Sequence, residues 1–288
     1  MNSLQINAYA KINLGLDVLS RRPNGYHDVR MVMQTIRLFD KLTLRPTQAP
    51  GIAIKSNLSY LPNDENNLIW KAANLFFTAC ELAPAIHITL EKHIPVAAGL
   101  AGGSSDAAAT LLGLNRLYNT GLSLTELQEL GVRIGADVPY CLMCGTALSE
   151  GIGEILTPLP AVPQAYCLIV KPPFSVSTRY VYENLDLNTA PHPDIDAIIK
   201  ALENHSLTDL CANLGNTLES VTIGLHPEIA EIKESLRTAG ADGVLMSGSG
   251  PTVFALFQNK KAAEKAYYNF KVGKYGKQTF LTDFYNPA

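Results

Sequence analysis

A glycine-rich stretch in the first half of the sequence has the clearest potential for chemistry. Its glycines at 99, 102 and 103 let the backbone turn tightly and approach a ligand closely. An alanine-rich helix is predicted over 104–118, and the unpaired N–H groups at a helix start favour an anion such as phosphate. Ser104 and Ser105 can cap this helix or contact phosphate oxygens and a metal, although a plain glycine-rich turn with serine caps explains the composition equally well. The stretch runs Pro95, Val96, Ala97, Ala98, Gly99, Leu100, Ala101, Gly102, Gly103, Ser104, Ser105.

Two other segments contain candidate polar groups. Five of the seven residues from 247 to 253 are Ser, Gly or Thr, which offers more backbone donors than a simple turn requires. A plain hairpin between two apolar strands is the alternative interpretation. Lys11 lies on the polar side of an alternating segment, where a lysine is ordinarily a solvated surface group.

The elements that must position these groups follow from hydrophobic periodicity. Alternation around Ala8–Leu16 predicts a strand with one buried and one polar face. Helical spacing predicts helices over 67–82, 104–118 and 124–134, the last with Ser123 or Thr125 near its N-cap. Further predicted segments are strands at 40–46, 51–56, 85–92 and 165–171, a broken helical region at 177–238, a strand–turn–strand at 242–257, a helix at 260–271 and a strand at 277–284.

The fold class and a domain boundary follow from this order of elements. Mixed helices and strands with hairpin-like spacing indicate an α+β fold rather than a doubly wound parallel sheet. Three prolines occur in the seven residues of Thr157–Pro163. Prolines at this density are typical of a connection, so we predict an N-terminal domain over 1–160 and a C-terminal domain over 161–288.

Composition excludes several classes of protein. The chain has 288 residues, of which 47% are hydrophobic and 17% charged, so disorder is not expected. A net charge of -3 disfavours nucleic-acid binding, which normally requires a basic excess. No apolar run approaches the roughly 18 to 20 residues that span a bilayer, and the N-terminus lacks a signal-peptide pattern. Five cysteines, an odd number, fit a reducing compartment, so a cytoplasmic protein is expected.

The two glycine segments and Lys11 together resemble the GHMP kinase superfamily, which includes galactokinase and the homoserine, mevalonate and phosphomevalonate kinases. Their order and spacing match its N-terminal, phosphate-loop and C-terminal motifs over nearly the whole chain. Ala101 departs from the glycine that many members have there. Three phrases resemble the branch that acts on a cytidine-diphosphate derivative of methylerythritol: Ala10-Lys11-Ile12-Asn13-Leu14, Arg22-Pro23-Asn24-Gly25-Tyr26-His27 and Gly135-Ala136-Asp137-Val138-Pro139.

The resemblance implies a two-domain kinase with its active site in the cleft between the halves. ATP would donate its γ-phosphate to the 2-hydroxyl of the methylerythritol end, with the loop 95–105 around the ATP phosphates. Mg²⁺ would be shared between phosphate oxygens and water, with the Ser104 or Ser105 hydroxyl as a further candidate, and no residue is assigned as a metal ligand. Asp137 would accept the proton of the attacking hydroxyl, and Lys11 would hold Asp137 ionised. Without the resemblance, Asp137 would be interpreted as a helix N-cap.

Substrate recognition is assigned by the same resemblance. Tyr26 would stack near the cytosine and His27 would hydrogen-bond the base, although an aromatic pair after Asn24-Gly25 could simply flank a tight turn. Tyr182 is a second candidate stacking face, with a core-facing helical tyrosine as its alternative. Asn13 would contact the methylerythritol hydroxyls. Lys92, Asn67 and Leu68 would border the adenine.

Two other functions stay open at this point. Another GHMP kinase, acting on a mevalonate-like or homoserine-like alcohol, would need no cytidine pocket, so the Tyr26-His27 pair argues against it. A non-catalytic ATP-binding sensor should have lost Lys11 or Asp137, and both are present. Small-molecule substrates and a monomer or weak homodimer are expected, with neither nucleic acid nor membrane as a partner.

Overall fold

The computed structural model describes residues 3–287, and it confirms the mixed α+β class. The strands are β1 (Leu4–Arg21), β2 (His27–Pro46), β3 (Gly51–Ser56), β4 (Ala85–Glu91), β5 (Thr146–Glu150), β6 (Ile155–Pro158), β7 (Tyr166–Val170), β8 (Gly215–Asn216), β9 (Gly243–Met246), β10 (Val253–Phe257) and β11 (Thr279–Asp283). The helices are α1 (Leu68–Ala79), α2 (Gly102–Tyr118), α3 (Leu124–Val132), α4 (Val138–Met143), α5 (Thr178–Glu183), α6 (Ile195–Glu203), α7 (Leu207–Asn213), α8 (Glu219–Leu225), α9 (Glu228–Thr238) and α10 (Lys260–Val272). A 3₁₀ turn covers Gly276–Gln278.

The chain divides into two compact units that interleave along the sequence. The first contains Leu38–Val96, Ala101–Met143 and the chain before Lys11. The second contains Lys11–Arg37, Ala97–Leu100 and the chain from Cys144 onward. The interleaving arises because the long strands β1 and β2 each contribute to both units. The predicted boundary near residue 160 stays a prediction.

The first unit packs helices on a small part of the sheet. The second half of β2 pairs antiparallel with β4, from Lys41 opposite Glu91 to Pro46 opposite Ile86. β3 lies parallel to β4 on its other side. α1 packs against α2 and buries one apolar face, which includes Phe76. The predicted helices at 67–82, 104–118 and 124–134 are therefore confirmed to within a few residues, and Ser123 caps α3 with a complete capping box.

The second unit contains the first half of β2, which pairs antiparallel with β5, and a four-stranded antiparallel sheet in the order β11-β7-β10-β9. β8 joins β1 in parallel, with Gly15 opposite Gly215. The sequence predicted the strand–turn–strand at 242–257 and the neighbouring helix α10. It missed β8 within the helical region, because two residues give no periodicity, and it missed β5 and β6 around a glycine-rich turn.

β1 differs from its prediction, because both of its faces are buried from Ala10 to Val18. One face is covered at Gly15, where the absence of a side chain allows α6 to pack directly against the strand. A Cβ at Gly15 would lie 2.5 Å from Ile198 Cδ1 and 2.8 Å from Ile195 Cδ1. Polar residues of β1 are consequently enclosed by the protein rather than solvated.

No helix formed within residues 3–287 is both long and apolar enough to cross a membrane.

Candidate active site

Lys11 lies in the interior of β1, and the interpretation of a solvated lysine is wrong. Its relative exposure is 5%, and that of Asn13 is 0%. Lys11 Nζ donates to Asn13 Oδ1 over 2.7 Å, and Asn13 Nδ2 donates to Met31 Sδ over 3.4 Å. The backbone N–H of Lys11 donates to the carbonyl of Leu100 at 3.1 Å. Burying an ammonium group is unfavourable unless it is hydrogen-bonded or paired with a charge. A lysine at this position therefore favours a functional role over a structural one.

The C-terminal glycine turn contacts the first glycine-rich segment within the second unit, at Gly99. The turn connects β9 to β10, so it is a hairpin turn, but its residues also reach Gly99. Ser247 Oγ donates to the Gly99 carbonyl over 2.8 Å. Gly99 has φ +72°, and a Cβ there would lie 2.1 Å from the Ser247 carbonyl oxygen. Glycine is required at this position for both reasons.

α2 begins at Gly102, two residues before its predicted start, and the alternative in which a serine caps it is wrong. Its N-cap is Ala101, which adopts the left-handed region at φ 55°. Ser105 lies in the first turn, and its hydroxyl donates to the carbonyl of Tyr9 at 2.6 Å and of Ala101 at 3.1 Å. Ser104 is half-buried beside the exposed Gly103. The alanine at 101 thus permits the turn, although this conformation costs an L-residue about 1–2 kcal/mol.

A buried ionic cluster in the first unit escaped the sequence reasoning. Lys92 Nζ forms ion pairs with Asp40 Oδ2 and, over 2.6 Å, with Asp106 Oδ2. Burial lowers the pKa of Lys92, but the carboxylates of Asp106 and Asp40 outweigh it and raise the pKa overall. Burial also raises the pKa of Asp106. Within the described part of the chain, Asp106 Oδ1 has no hydrogen-bond partner.

The cluster also lies against the start of α2. A Cβ on Gly102 would be 3.0 Å from Lys92 Nζ. The Lys92 ammonium forms ion pairs inside the first unit. Asn67, another expected adenine neighbour, caps α1 through its side chain. Their expected places beside the adenine stay predictions. A single lysine after a strand gives no sequence signal for such a cluster.

Asp137 immediately precedes α4 in the first unit and is half-buried. Its backbone carbonyl accepts from Cys141 N at 3.1 Å, as a residue at the start of a helix does. Val138 and Tyr140 are fully buried, and they anchor α4 behind the aspartate. The expected pairing of Asp137 with Lys11 stays a prediction.

The expected base-recognition residues lie around the turn between β1 and β2. Asn24 Oδ1 accepts from Tyr26 N at 3.1 Å, and Gly25 has φ +88°, so the pair does flank a tight turn. Tyr26 is 58% exposed. The rings of His27 and Tyr182 lie 5.0 Å apart at 40°, and Tyr182 is half-buried rather than in the core. The structure therefore brings His27 and Tyr182 together.

His27 has an electrostatic environment that favours its neutral form. Burial lowers its pKa, and the nearby positive charge of Arg21 lowers it further. A neutral imidazole has one N–H donor and one acceptor nitrogen, so it can hydrogen-bond a polar heterocycle at neutral pH.

Profile comparisons identify the class of protein. The profile of the GHMP kinases N terminal domain matches residues 67–145, and that of the GHMP kinases C terminal matches residues 192–273. A homoserine kinase from Cytophaga hutchinsonii has a similar structure, with TM-score 0.77, covering 99% of this chain and 94% of its own. At 22% identity, that likeness concerns the fold alone. The chain belongs to the GHMP kinase family.

Relatives within this family are more specific. The 4-diphosphocytidyl-2-C-methyl-D-erythritol kinase of Lachnoclostridium phytofermentans is 61% identical over 99% of this chain and 98% of its own. The protein of the same name from Lachnospira eligens is 49% identical over the full length of both. A crystal structure of 4-(cytidine 5'-diphospho)-2C-methyl-D-erythritol kinase is 33% identical, with TM-score 0.84, covering 99% of this chain and 100% of its own.

Proposed function

We propose that this protein transfers the γ-phosphate of ATP to the 2-hydroxyl of 4-diphosphocytidyl-2-C-methyl-D-erythritol. The products are the 2-phosphate and ADP, and the reaction belongs to the non-mevalonate isoprenoid pathway. The proposal is carried by full-length identity of 61% to a kinase named for this substrate. Lys11, Asp137 and the Tyr26-His27 pair support it, because these residues are what such a reaction requires.

The start of α2 suits the ATP phosphates. The first N–H groups of a helix have no acceptor within it, and the positive end of the dipole adds to their attraction for anions. Gly103 is exposed in this turn, so the backbone there is accessible to a ligand. The Ser104 hydroxyl is the candidate to share Mg²⁺ with phosphate oxygens, since Ser104 is half-buried whereas Ser105 is 2% exposed. Bound Mg²⁺ neutralises charge on the phosphates during transfer.

The transfer needs a base and a cation at the reacting oxygen. The 2-hydroxyl oxygen forms a bond to the γ-phosphorus while the bond from that phosphorus to the β,γ-bridging oxygen breaks. In our proposal the hydroxyl proton passes to the Asp137 carboxylate. Lys11 stabilises the negative charge that develops, from a position where water does not compete for its ammonium. Asn13 orients Lys11 through their 2.7 Å hydrogen bond and contacts the acceptor's hydroxyls.

Recognition of the cytidine end is assigned to the aromatic residues of the second unit. Tyr26 offers an exposed face for stacking, and His27 offers a neutral ring for hydrogen bonding. Tyr182 adds a second aromatic surface 5.0 Å from His27. The residues favour a cytidine-linked acceptor over mevalonate or homoserine, which have no base to recognise. A cytoplasmic location and a monomer or weak homodimer remain expectations.

One assay separates the proposed function from its alternatives. ADP release is measured with the cytidine substrate, with mevalonate and with homoserine at equal concentrations. We expect turnover only with the cytidine substrate. Turnover with another alcohol would indicate a different GHMP kinase, and ATP binding in calorimetry without ADP release from any of the three alcohols would indicate a sensor.

A further inference from the structure

Two polar side chains outside the glycine segments hold the C-terminal glycine turn in place. They are Asn216, at the end of β8, and Glu219, at the start of α8. Both reach Met246, the last residue of β9, immediately before the turn at Ser247–Gly250. All of these residues belong to the second unit.

Asn216 uses both ends of its amide. Its Nδ2 donates to the carbonyl of Met246 at 2.9 Å and to the carbonyl of Gly248 at 2.8 Å. Its Oδ1 accepts from Leu218 N at 2.9 Å. The residue is 4% exposed, so water cannot replace these bonds without reorganisation. The amide therefore fixes two carbonyls on either side of Ser247.

Glu219 binds the backbone N–H of Met246, whereas Asn216 binds its carbonyl. The Oε1 of Glu219 accepts from Met246 N at 2.9 Å, and both of its carboxylate oxygens accept from Lys233 Nζ at 2.6 Å. β9 is an edge strand that pairs with β10, so its outer polar groups need partners that a sheet does not supply. Asn216 and Glu219 are those partners, and we call the pair the Met246 bracket.

The bracket connects the glycine turn with two segments of the candidate site. Ser247, held between the two bonded carbonyls, donates to the Gly99 carbonyl over 2.8 Å. Asn216 lies opposite Leu16 of β1 in the parallel pairing, and Thr217 N donates to the Leu16 carbonyl at 2.9 Å. The strand that carries Lys11 and the turn that contacts Gly99 thus share one anchor.

We propose that Asn216 and Glu219 are positioning residues for ATP in the phosphoryl transfer. They hold the Ser247–Gly250 turn against Gly99 and so fix the backbone of the phosphate loop in its binding conformation. This inference rests on the proposed function, in which residues 95–105 bind the ATP phosphates. Neither side chain is assigned contact with a substrate. Because the turn that they hold contacts Gly99, we expect their loss to lower the affinity for the nucleotide rather than for the acceptor.

The test uses two isosteric changes, one truncation and a matched control. Asn216→Asp keeps the acceptor for Leu218 N but replaces the two donated bonds with carboxylate-to-carbonyl repulsion. Glu219→Ala removes the acceptor for Met246 N, whereas Glu219→Gln retains an acceptor there. The control is Asn259→Ala, which removes another structural asparagine, the N-cap of α10, away from the turn. Full-length variants are checked for cooperative unfolding, and ADP affinity with Mg²⁺ is then measured by calorimetry.

We expect Asn216→Asp and Glu219→Ala to weaken ADP binding about tenfold or more, equivalent to about 1.4 kcal/mol. Glu219→Gln should stay within about threefold of the wild type, and the KM for the cytidine acceptor should change little in all variants. Wild-type ADP affinity in either folded variant, or an equal loss in Asn259→Ala, would overturn the bracket. Turnover of the cytidine acceptor by the wild type is measured separately and tests the proposed function. If that turnover fails, the ratio of ADP affinity between variant and wild type still tests the Met246 bracket.

Discussion

Lys11 and Asn13 place an ammonium and an amide side by side in a strand that solvent barely reaches. Electrostatic interactions are stronger where water is excluded, so a charge held there acts more effectively on a developing phosphate charge than a surface lysine would. Asp137, at the start of α4, is the remaining group that the proposed transfer requires.

Asp137→Asn separates a base from a helix cap. Asparagine keeps the shape and capping capacity of aspartate but cannot accept a proton as a carboxylate does. We expect kcat to fall roughly 10²-fold or more, with ATP and acceptor affinities retained. Asp209→Asn is the matched control, because Asp209 is an exposed aspartate in the first turn of α7. Near-normal kcat in Asp137→Asn would refute the assigned base.

Tyr26→Ala tests base recognition. Stacking of a base on an aromatic ring is worth about 1–3 kcal/mol, so the KM for the cytidine acceptor should rise about tenfold or more. The KM for ATP should change little. Tyr60→Ala is the control, because Tyr60 is similarly exposed, at 69% against 58%. A loss confined to ATP would remove Tyr26 from the acceptor site.

At the scale of elements, turns and short segments place these side chains. The β9–β10 turn packs on Gly99, and the chain between β7 and α6 is tied to β1 by polar contacts. His192 Nδ1 lies 2.6 Å from Asp17 Oδ1, and its Nε2 lies 3.0 Å from the Leu187 carbonyl. Arg30 of β2 forms a bidentate pair with Asp196 of α6. The His192 and Arg30 contacts lie outside the glycine motifs.

Gly99→Ala tests the contact between the turn and the phosphate loop. Gly99 and Gly121 share φ +72°, so an alanine is strained equally at both positions. Only at Gly99 would the methyl meet a carbonyl oxygen, since a Cβ on Gly121 has nothing within 4 Å. Gly99→Ala should therefore lose ADP affinity in calorimetry, and Gly121→Ala should keep it. Equal affinities in the two variants would count against the contact.

His192 makes stability depend on pH through its contact with Asp17. The hydrogen bond to the Leu187 carbonyl and the one to Asp17 raise its pKa. A raised pKa stabilises the folded protein below the unfolded value of about 6.5, and this contribution is lost as pH rises through the folded pKa. The difference in Tm between wild type and His192→Gln should shrink from about pH 5.5 to about pH 8.5. A constant difference would show that the ionic form does not contribute.

At the scale of the whole molecule, binding of both substrates depends on local groups, because the net charge is -3. Long-range attraction for ATP or a cytidine diphosphate is therefore weak, and in the proposed mechanism the helix start, the buried lysine and the aromatic faces supply the affinity. Ligands that bind the folded state alone raise its stability by mass action.

Thermal shifts should report this selectivity. A ligand at a hundredfold excess over its Kd stabilises a protein by about 2.7 kcal/mol, which corresponds to a rise in Tm of several degrees. We expect such a rise with ADP and Mg²⁺ and with the cytidine acceptor. Homoserine and mevalonate at the same concentration should leave Tm unchanged. A shift with either alcohol would contradict the assigned acceptor class.

The sequence by itself determined most of the elements and the family. Strand β3 was predicted over the same residues that the structure assigns, and α10 to within one residue. Hydrophobic periodicity is a local property, and so is the demand of a tight turn for glycine. Periodicity and tight turns can therefore be recognised from neighbouring residues. The same holds for the three short motifs that resemble kinases with a cytidine-linked acceptor.

Only the tertiary structure decided which polar groups are buried and what they contact. Lys92 meets Asp40 and Asp106, which are 52 and 14 residues away, and Asn216 meets Met246, 30 residues away. Lys11 looked solvated, because alternation along β1 does not reveal that Leu100 and Met31, from distant parts of the chain, lie against this stretch of the strand. Burial and long-range pairing depend on how distant segments pack, and the spacing of neighbouring residues contains no record of that packing.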